Sequence, residues 1–167
     1  MRRIGIVAAS LALWACGGSN SAPATHFTAT LNAANEPGGV TSSATGSATY
    51  TVIGSVGYTN TGATVSYTVT FSGLTTPATA GHIHVGPAGV NGQVTVPFSP
   101  PAQTSGTFSG TFSATDVRVA TGGGISVAAG SMDDLLAAMR AGNTYTNIHT
   151  STFQNGEIRG QNQPQSQ

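Results

Sequence analysis

The chain has 167 residues, with five arginines, no lysine and five acidic residues, so its formal net charge is zero. There is no basic footprint for a nucleic acid to recognise, which removes nucleic acid as a partner. Only 6% of the residues are charged and 38% are hydrophobic, too apolar for a disordered chain, and the richness in Thr, Ser, Gly and Val suits β-strands and turns better than helical bundles.

The first residues read as an export leader. Arg2 and Arg3 form a short positive region. Ile4 to Ala15 is an apolar run that matches a signal-peptide core and falls short of the about 20 residues a bilayer span needs. The run ends Leu13-Trp14-Ala15-Cys16, which resembles the lipobox of bacterial lipoproteins, where the cysteine is acylated and becomes the first residue of the mature protein. Trp14 is larger than the residue usual at its position. Residues 1–15 are therefore expected to be a signal peptide and 16–25 a lipidated tether, with the protein exported and held to the membrane through a lipid on Cys16. The other reading is an ordinary signal peptide cut near Ala15. Cys16 is the sole cysteine, so no intrachain disulfide can form and the exported domain must be stabilised by its core. Roughly 150 residues remain after the leader, enough for one core.

Alternation of apolar and polar residues marks strands along the rest of the chain. Phe27, Ala29 and Leu31 are in phase, and Asn35-Glu-Pro-Gly-Gly39 stops that strand. Ala48, Tyr50 and Val52 mark a second strand, and residues 54–62 read as a turn region. Ala63, Val65, Tyr67, Val69 and Phe71 alternate with Thr and Ser in the clearest strand, one face buried and one wet. Further strands are predicted at the Gly81 stretch, at Gln93 to Phe98, and at Gly106 to Ser113. Residues 116–130 hold one weak strand around Ile125 to Val127. Ser131 to Gly142 is the one helix, with Ser131 and Asp134 as a capping box, Leu135, Leu136 and Met139 as its apolar stripe, and Gly142 as its stop. A strand over 143–150 and a closing strand at Glu157 to Gly160 flank a hairpin turn at Asn155-Gly156. The domain is expected to span 26–161, with 162–167 a disordered tail.

The chemically distinct stretch is Gly81-His-Ile-His-Val-Gly-Pro-Ala-Gly-Val-Asn-Gly92. At strand spacing, His82 and His84 share one face while Ile83 and Val85 take the other. By the same parity His149 lies opposite Ile148 in direction, and Glu157 and Arg159 opposite Ile158. If the three strands are neighbours, His82, His84 and His149 share one surface with Glu157 and Arg159 at its rim. Three histidines, two of them as His-x-His, form a ligand set used for zinc or copper. The plainer reading is structural: the rings bond backbone carbonyls of the Gly/Pro loop, and Glu157 pairs with Arg159 or with a histidine. His26 is expected to be an exposed strand residue. No Gly-x-Ser-x-Gly elbow or phosphate-binding loop occurs, so no catalytic residue is assigned.

Gly81 to Val94 resembles the first signature of the CHRD domain, a module named for chordin and widespread in bacterial exported proteins. Tyr145-Thr-Asn-Ile-His-Thr150 with Asn155-Gly-Glu-Ile-Arg-Gly-Gln161 resembles its second, and Leu31-Asn-Ala-Ala-Asn-Glu36 followed by Pro37 resembles its start. Gly38-Gly39 departs from the second proline usual there. The resemblance runs from about Phe27 to Gln161. It implies an all-β domain, an antiparallel Greek-key β-sandwich with one short helix, but no established chemistry. The His-x-His strand is similar to that of the copper-zinc superoxide dismutase sandwich, but the extra His and Asp ligands of a second metal are lacking. The leading functional expectation is an exported binding or structural module for an extracellular protein or envelope component, not an enzyme. The alternative is a mononuclear zinc or copper protein using His82, His84 and His149.

The leader generates a direct prediction. Cys16→Ser moves the protein from the membrane to the soluble fraction and abolishes lipid on the mature N-terminus, read by fractionation and mass spectrometry. An unchanged membrane fraction with no lipid on wild type refutes the lipobox.

Overall fold

The computed structural model describes residues 22–54 and 62–166. The leader, Cys16, most of the tether, most of the 54–62 turn and Gln167 lie outside the described residues. Among the described residues, eleven strands and one α-helix follow in order: β1 (His26–Asn32), β2 (Thr45–Ile53), β3 (Thr64–Ser72), β4 (Ala78–Val85), β5 (Val94–Phe98), β6 (Gly106–Phe112), β7 (Ala120–Gly122), β8 (Ile125–Val127), α1 (Met132–Arg140), β9 (Thr144–Thr150), β10 (Ile158–Gln161) and β11 (Gln163–Pro164). The fold is all-β and antiparallel with one helix, as the alternation predicts.

One sheet carries most of the chain, in the order β5-β4-β9-β10-β1-β2-β3-β6, with β11 also on β1. It curls until it is nearly barrel-shaped. Phe98 on the β5 edge meets Phe108 on the β6 edge, ring centroids 6.0 Å apart, and lies 4.4 Å from Tyr67 of β3. The sandwich is thus one sheet folded over on itself. Its core face takes the in-phase residues: Phe27 and Leu31 of β1, Tyr50 of β2, Val65 and Val69 of β3, Ile83 of β4, Ile148 of β9 and Ile158 of β10, all at most 2% exposed.

Helix α1 begins as expected: Ser131 accepts from the Asp134 N–H at 3.1 Å. The reciprocal half of the capping box is not made, because the Asp134 carboxylate accepts from the Ala128 N–H instead, at 3.0 Å. Gly142, at φ 67°, ends the helix in the left-handed region. Leu135, Leu136 and Met139 are fully buried, and the helix packs against β8 and β11.

Two expectations are corrected. The 116–130 region holds a two-stranded ribbon, β7 with β8, where one strand was expected. Residues 162–166 are not a loose tail. Asn162 is fully buried, donates to Thr144 Oγ1 at 3.0 Å and accepts from Thr146 Oγ1 at 2.8 Å, and β11 pairs with β1. The polar composition of the tail conceals one asparagine whose side-chain oxygen and nitrogen and whose backbone N–H all find partners on β9.

Ile148 pairs directly with Ile158 and is 0% exposed. Ile148→Ala is expected to cost about 2–5 kcal/mol by chemical denaturation, the range for a core aliphatic reduced to Ala. A loss below the range of surface substitutions, about 0.5 kcal/mol, would show that this face is not core.

Candidate metal centre

The three candidate histidines come together because β9 lies between β4 and β10, antiparallel to both. Across the β4–β9 ladder His84 faces Tyr145, His82 faces Asn147 and Ala80 faces His149. His82 and His149 are therefore diagonal neighbours, close enough for two rings to touch. One extra residue in β4, Thr79, bulges between Ala78 and Ala80 and sets that register. All these side chains point away from Ile83 and Ile148, onto the face opposite the core.

One ligand nitrogen from each of His82, His84 and His149 lies within 4.8 Å of the others. The protons can be placed from the acceptors. His149 Nδ1 is 2.9 Å from the Gln154 carbonyl, which can only accept, so this nitrogen carries the proton and Nε2 the lone pair. His82 Nδ1 lies 2.9 Å from that Nε2 and donates to it. His84 Nδ1 donates to the Gly92 carbonyl at 2.8 Å, which leaves His84 Nε2 a buried lone pair. Two of the three rings thus have one nitrogen fixed by a backbone carbonyl and present the other, as metal-binding histidines do.

The widest gap is between His84 and His149, ring centroids 6.1 Å apart, against 4.7 Å for His82 and His149. An ion held at about 2.0–2.1 Å by each nitrogen would keep them roughly 3.4 Å apart, so His84 closes in by on the order of an ångström. Burial pushes the rings of His82 and His84 down to about 4, and their mutual repulsion with His149 adds to this. Burial also lowers His149. All three are neutral, the form that binds a metal.

A loop folds over His84. The Gly86 to Gly92 segment returns so that Gly92 meets both His84 and Tyr145, its N–H donating to the Tyr145 hydroxyl at 3.1 Å. A side chain at Gly92 or at Gly122 of β7 would collide with the Val85 carbonyl, and the Cα of Gly92 lies 2.8 Å from where a Gly122 Cβ would stand. Tyr145 stacks flat on His84, centroids 4.8 Å apart and planes at 5°. The Arg159 guanidinium lies 4.1 Å above the Tyr145 ring and donates to Asn91 Oδ1 at 3.0 Å. Arg159, Tyr145 and His84 form one stack, a cation over an aromatic over an imidazole.

The rim placement of Glu157 and Arg159 is corrected. Both are buried, at 0% and 2% exposure, and they do not pair with each other among the described residues. Arg159 keeps the predicted face, opposite Asn147 on β10. Glu157 precedes β10, so strand alternation does not govern it. Its carboxylate accepts from Thr150 Oγ1, on the Ile148 side of β9, and from Ser42 and Thr75. Burial raises its carboxyl, but these hydrogen bonds outweigh that and hold it below the ordinary range. His26 is exposed, 3.2 Å from Thr51 Oγ1 and apart from the cluster.

Glu36 was not foreseen. It is buried beside Asn147 and Gly156, and one carboxylate oxygen and Asn147 Oδ1 have no hydrogen-bond partner. Burial lifts its carboxyl to about 7, against the opposing pull of Arg159 and of a hydrogen bond from Asn147. Tyr145 and Asn147 carried a readable signal, since they alternate with His149 along β9; Glu36 carried none, standing after the turn that follows β1, far away in sequence.

The titrations set a pH dependence. His82 and His84 fold with values near 4 and unfold with values near 6.5, so between these the unfolded chain binds more protons and stability falls as pH falls. Glu36 acts oppositely between about 7 and 4.5, where the folded state holds the extra proton. Metal-free protein is expected to lose stability from pH 6.5 to 4.5 in urea titrations, and Glu36→Gln to make that loss steeper. A Glu36→Gln slope equal to or shallower than wild type contradicts the assignment.

The family model of the CHRD domain matches residues 27–162. No curated protein and no solved structure matches the chain. The match covers both histidine signatures and the rolled sheet apart from His26 and β11, and on it the chain belongs to the CHRD-domain family.

Proposed function

We propose that this CHRD domain binds a single zinc or copper ion through His82, His84 and His149. The observation that carries the reading is the convergence of three imidazoles, one nitrogen from each within 4.8 Å of the others, two of the rings being locked through Nδ1 to backbone carbonyls. A carbonyl-fixed ring that presents its other nitrogen to further imidazoles is the arrangement of a metal-binding histidine. Imidazole donors suit zinc and copper, and neutral rings at pH 7 expel no proton on binding; His82 has only to turn its shared N–H away or move that proton to its other nitrogen to free His149 Nε2. The structural alternative accounts for two Nδ1 bonds and for a bond between His84 and the Asn147 amide, but not for the gathering of three imidazoles on one face.

The wider setting is part of the same proposal. The leader, the Leu13-Trp14-Ala15-Cys16 motif and the glycine- and serine-containing stretch after it support an exported, lipid-anchored protein on the envelope. There the domain acts as a binding module toward an extracellular protein or envelope component, with the metal as part of its binding surface.

Metal analysis by inductively coupled plasma mass spectrometry tests the core of it. Wild type is expected to hold close to one zinc or copper per chain after metal loading and desalting, and His84→Ala to lose at least tenfold in affinity while keeping its far-ultraviolet circular dichroism. Equal metal content in the two proteins rejects the site.

A further inference from the structure

We infer that this metal centre is open, and that its remaining coordination position takes a small exogenous anion of carboxylate type entering at the Thr79 end of the β4–β9 pair. The inference rests on the metal reading above and goes beyond it by naming the ligand class and the route.

The described residues supply three donors and no fourth. Among the described residues, His82, His84 and His149 form the whole candidate group, and no Asp, Glu or Cys joins it. Glu157, which belongs to the same hairpin as His149, is fully engaged by Ser42, Thr75 and Thr150. Three protein ligands on zinc leave a position for a molecule from outside, whereas purely structural sites close with four.

Access is one-sided. Over His84 the way is shut by the Gly86 to Gly92 loop and the Tyr145–Arg159 stack. On the other side, His82 and His149 line a cavity of about 400 Å³ together with Thr79, Ala80, Ser151 and Gln154. That volume lies within the range of small-ligand sites, about 300–1,000 Å³.

Charge selects the ligand. Three neutral imidazoles leave a divalent ion with its charge uncompensated, and no acidic residue lines the cavity. Arg118 adds a positive field at His82. A neutral or cationic guest gains nothing from this field, and an anion does. The hydroxyl of Thr79 and the side-chain amide of Gln154, both on the cavity lining, are neutral groups of the kind that donate to the second oxygen of a carboxylate.

The test uses purified protein loaded with Co(II), whose visible bands report its coordination, and azide and acetate as probes. Both are expected to shift the bands saturably, and Ser151→Tyr, at an exposed position on the cavity wall, to weaken azide at least tenfold with cobalt content unchanged. Gln154→Trp, also exposed and leaving the backbone carbonyl that holds His149 in place, makes the same comparison if Ser151→Tyr misfolds. Bound cobalt whose spectrum ignores both anions overturns the open site but leaves the metal reading standing. Azide affinity unchanged in the cavity-filling variant overturns the route. Failure to bind cobalt, zinc or copper overturns the metal reading and this inference with it.

Discussion

The carboxylate of Glu157 is the point on which the candidate site depends. It accepts from Ser42 Oγ at 2.7 Å, from the Thr75 N–H and Oγ1 at 2.9 Å each, and from Thr150 Oγ1 at 2.8 Å. Thr75 leads into β4 and Thr150 ends β9, so one buried charge fastens together the ends of the two strands that carry the histidines. Its own N–H donates to the Ile148 carbonyl at 2.8 Å. A charge taken out of water is tolerated only with such a set of donors, and the donors come from three separate stretches of chain. The register that sets His82 diagonal to His149 is thus fixed by long-range hydrogen bonding as well as by the apolar face.

On the other side of the same strands the forces are softer. Arg159, Tyr145 and His84 hold one another by stacking, and the loop above them is tied by backbone groups of Val90 and Gly92. The aromatic and the guanidinium fix the plane of His84 while a carbonyl fixes its proton. His82 has neither constraint. Its one polar contact is to His149, and it is the least buried of the three rings. The arrangement is two preset donors and one that gives up a shared hydrogen bond.

Much of this was legible from residue order. The strands of the main sheet declare themselves through alternation, and the direction of each histidine follows from Ile83, Val85 and Ile148 pointing inward. Parity fails at Glu157 because the chain has left the ladder there, and a residue outside a ladder has no obligation to alternate. Glu36 was hidden for another reason: its partners Asn147, Gly156 and Arg159 are all more than a hundred residues away, and nothing local announces a carboxylate that will be buried. β7 and β11 are too short to show a period, and Asn162 looks like tail until its partners are known.

The crossing of Gly92, Gly122 and the Val85 carbonyl reaches further than its size suggests. Gly122 belongs to a ribbon outside the main sheet, yet the space it vacates is what lets Gly92 sit where its oxygen can meet His84. Which nitrogen of that imidazole carries hydrogen is therefore decided by the absence of a methyl group thirty-eight positions along the chain, 122 − 84. A side chain added at that ribbon position would push the Gly92 backbone aside and take from His84 the carbonyl that fixes its tautomer.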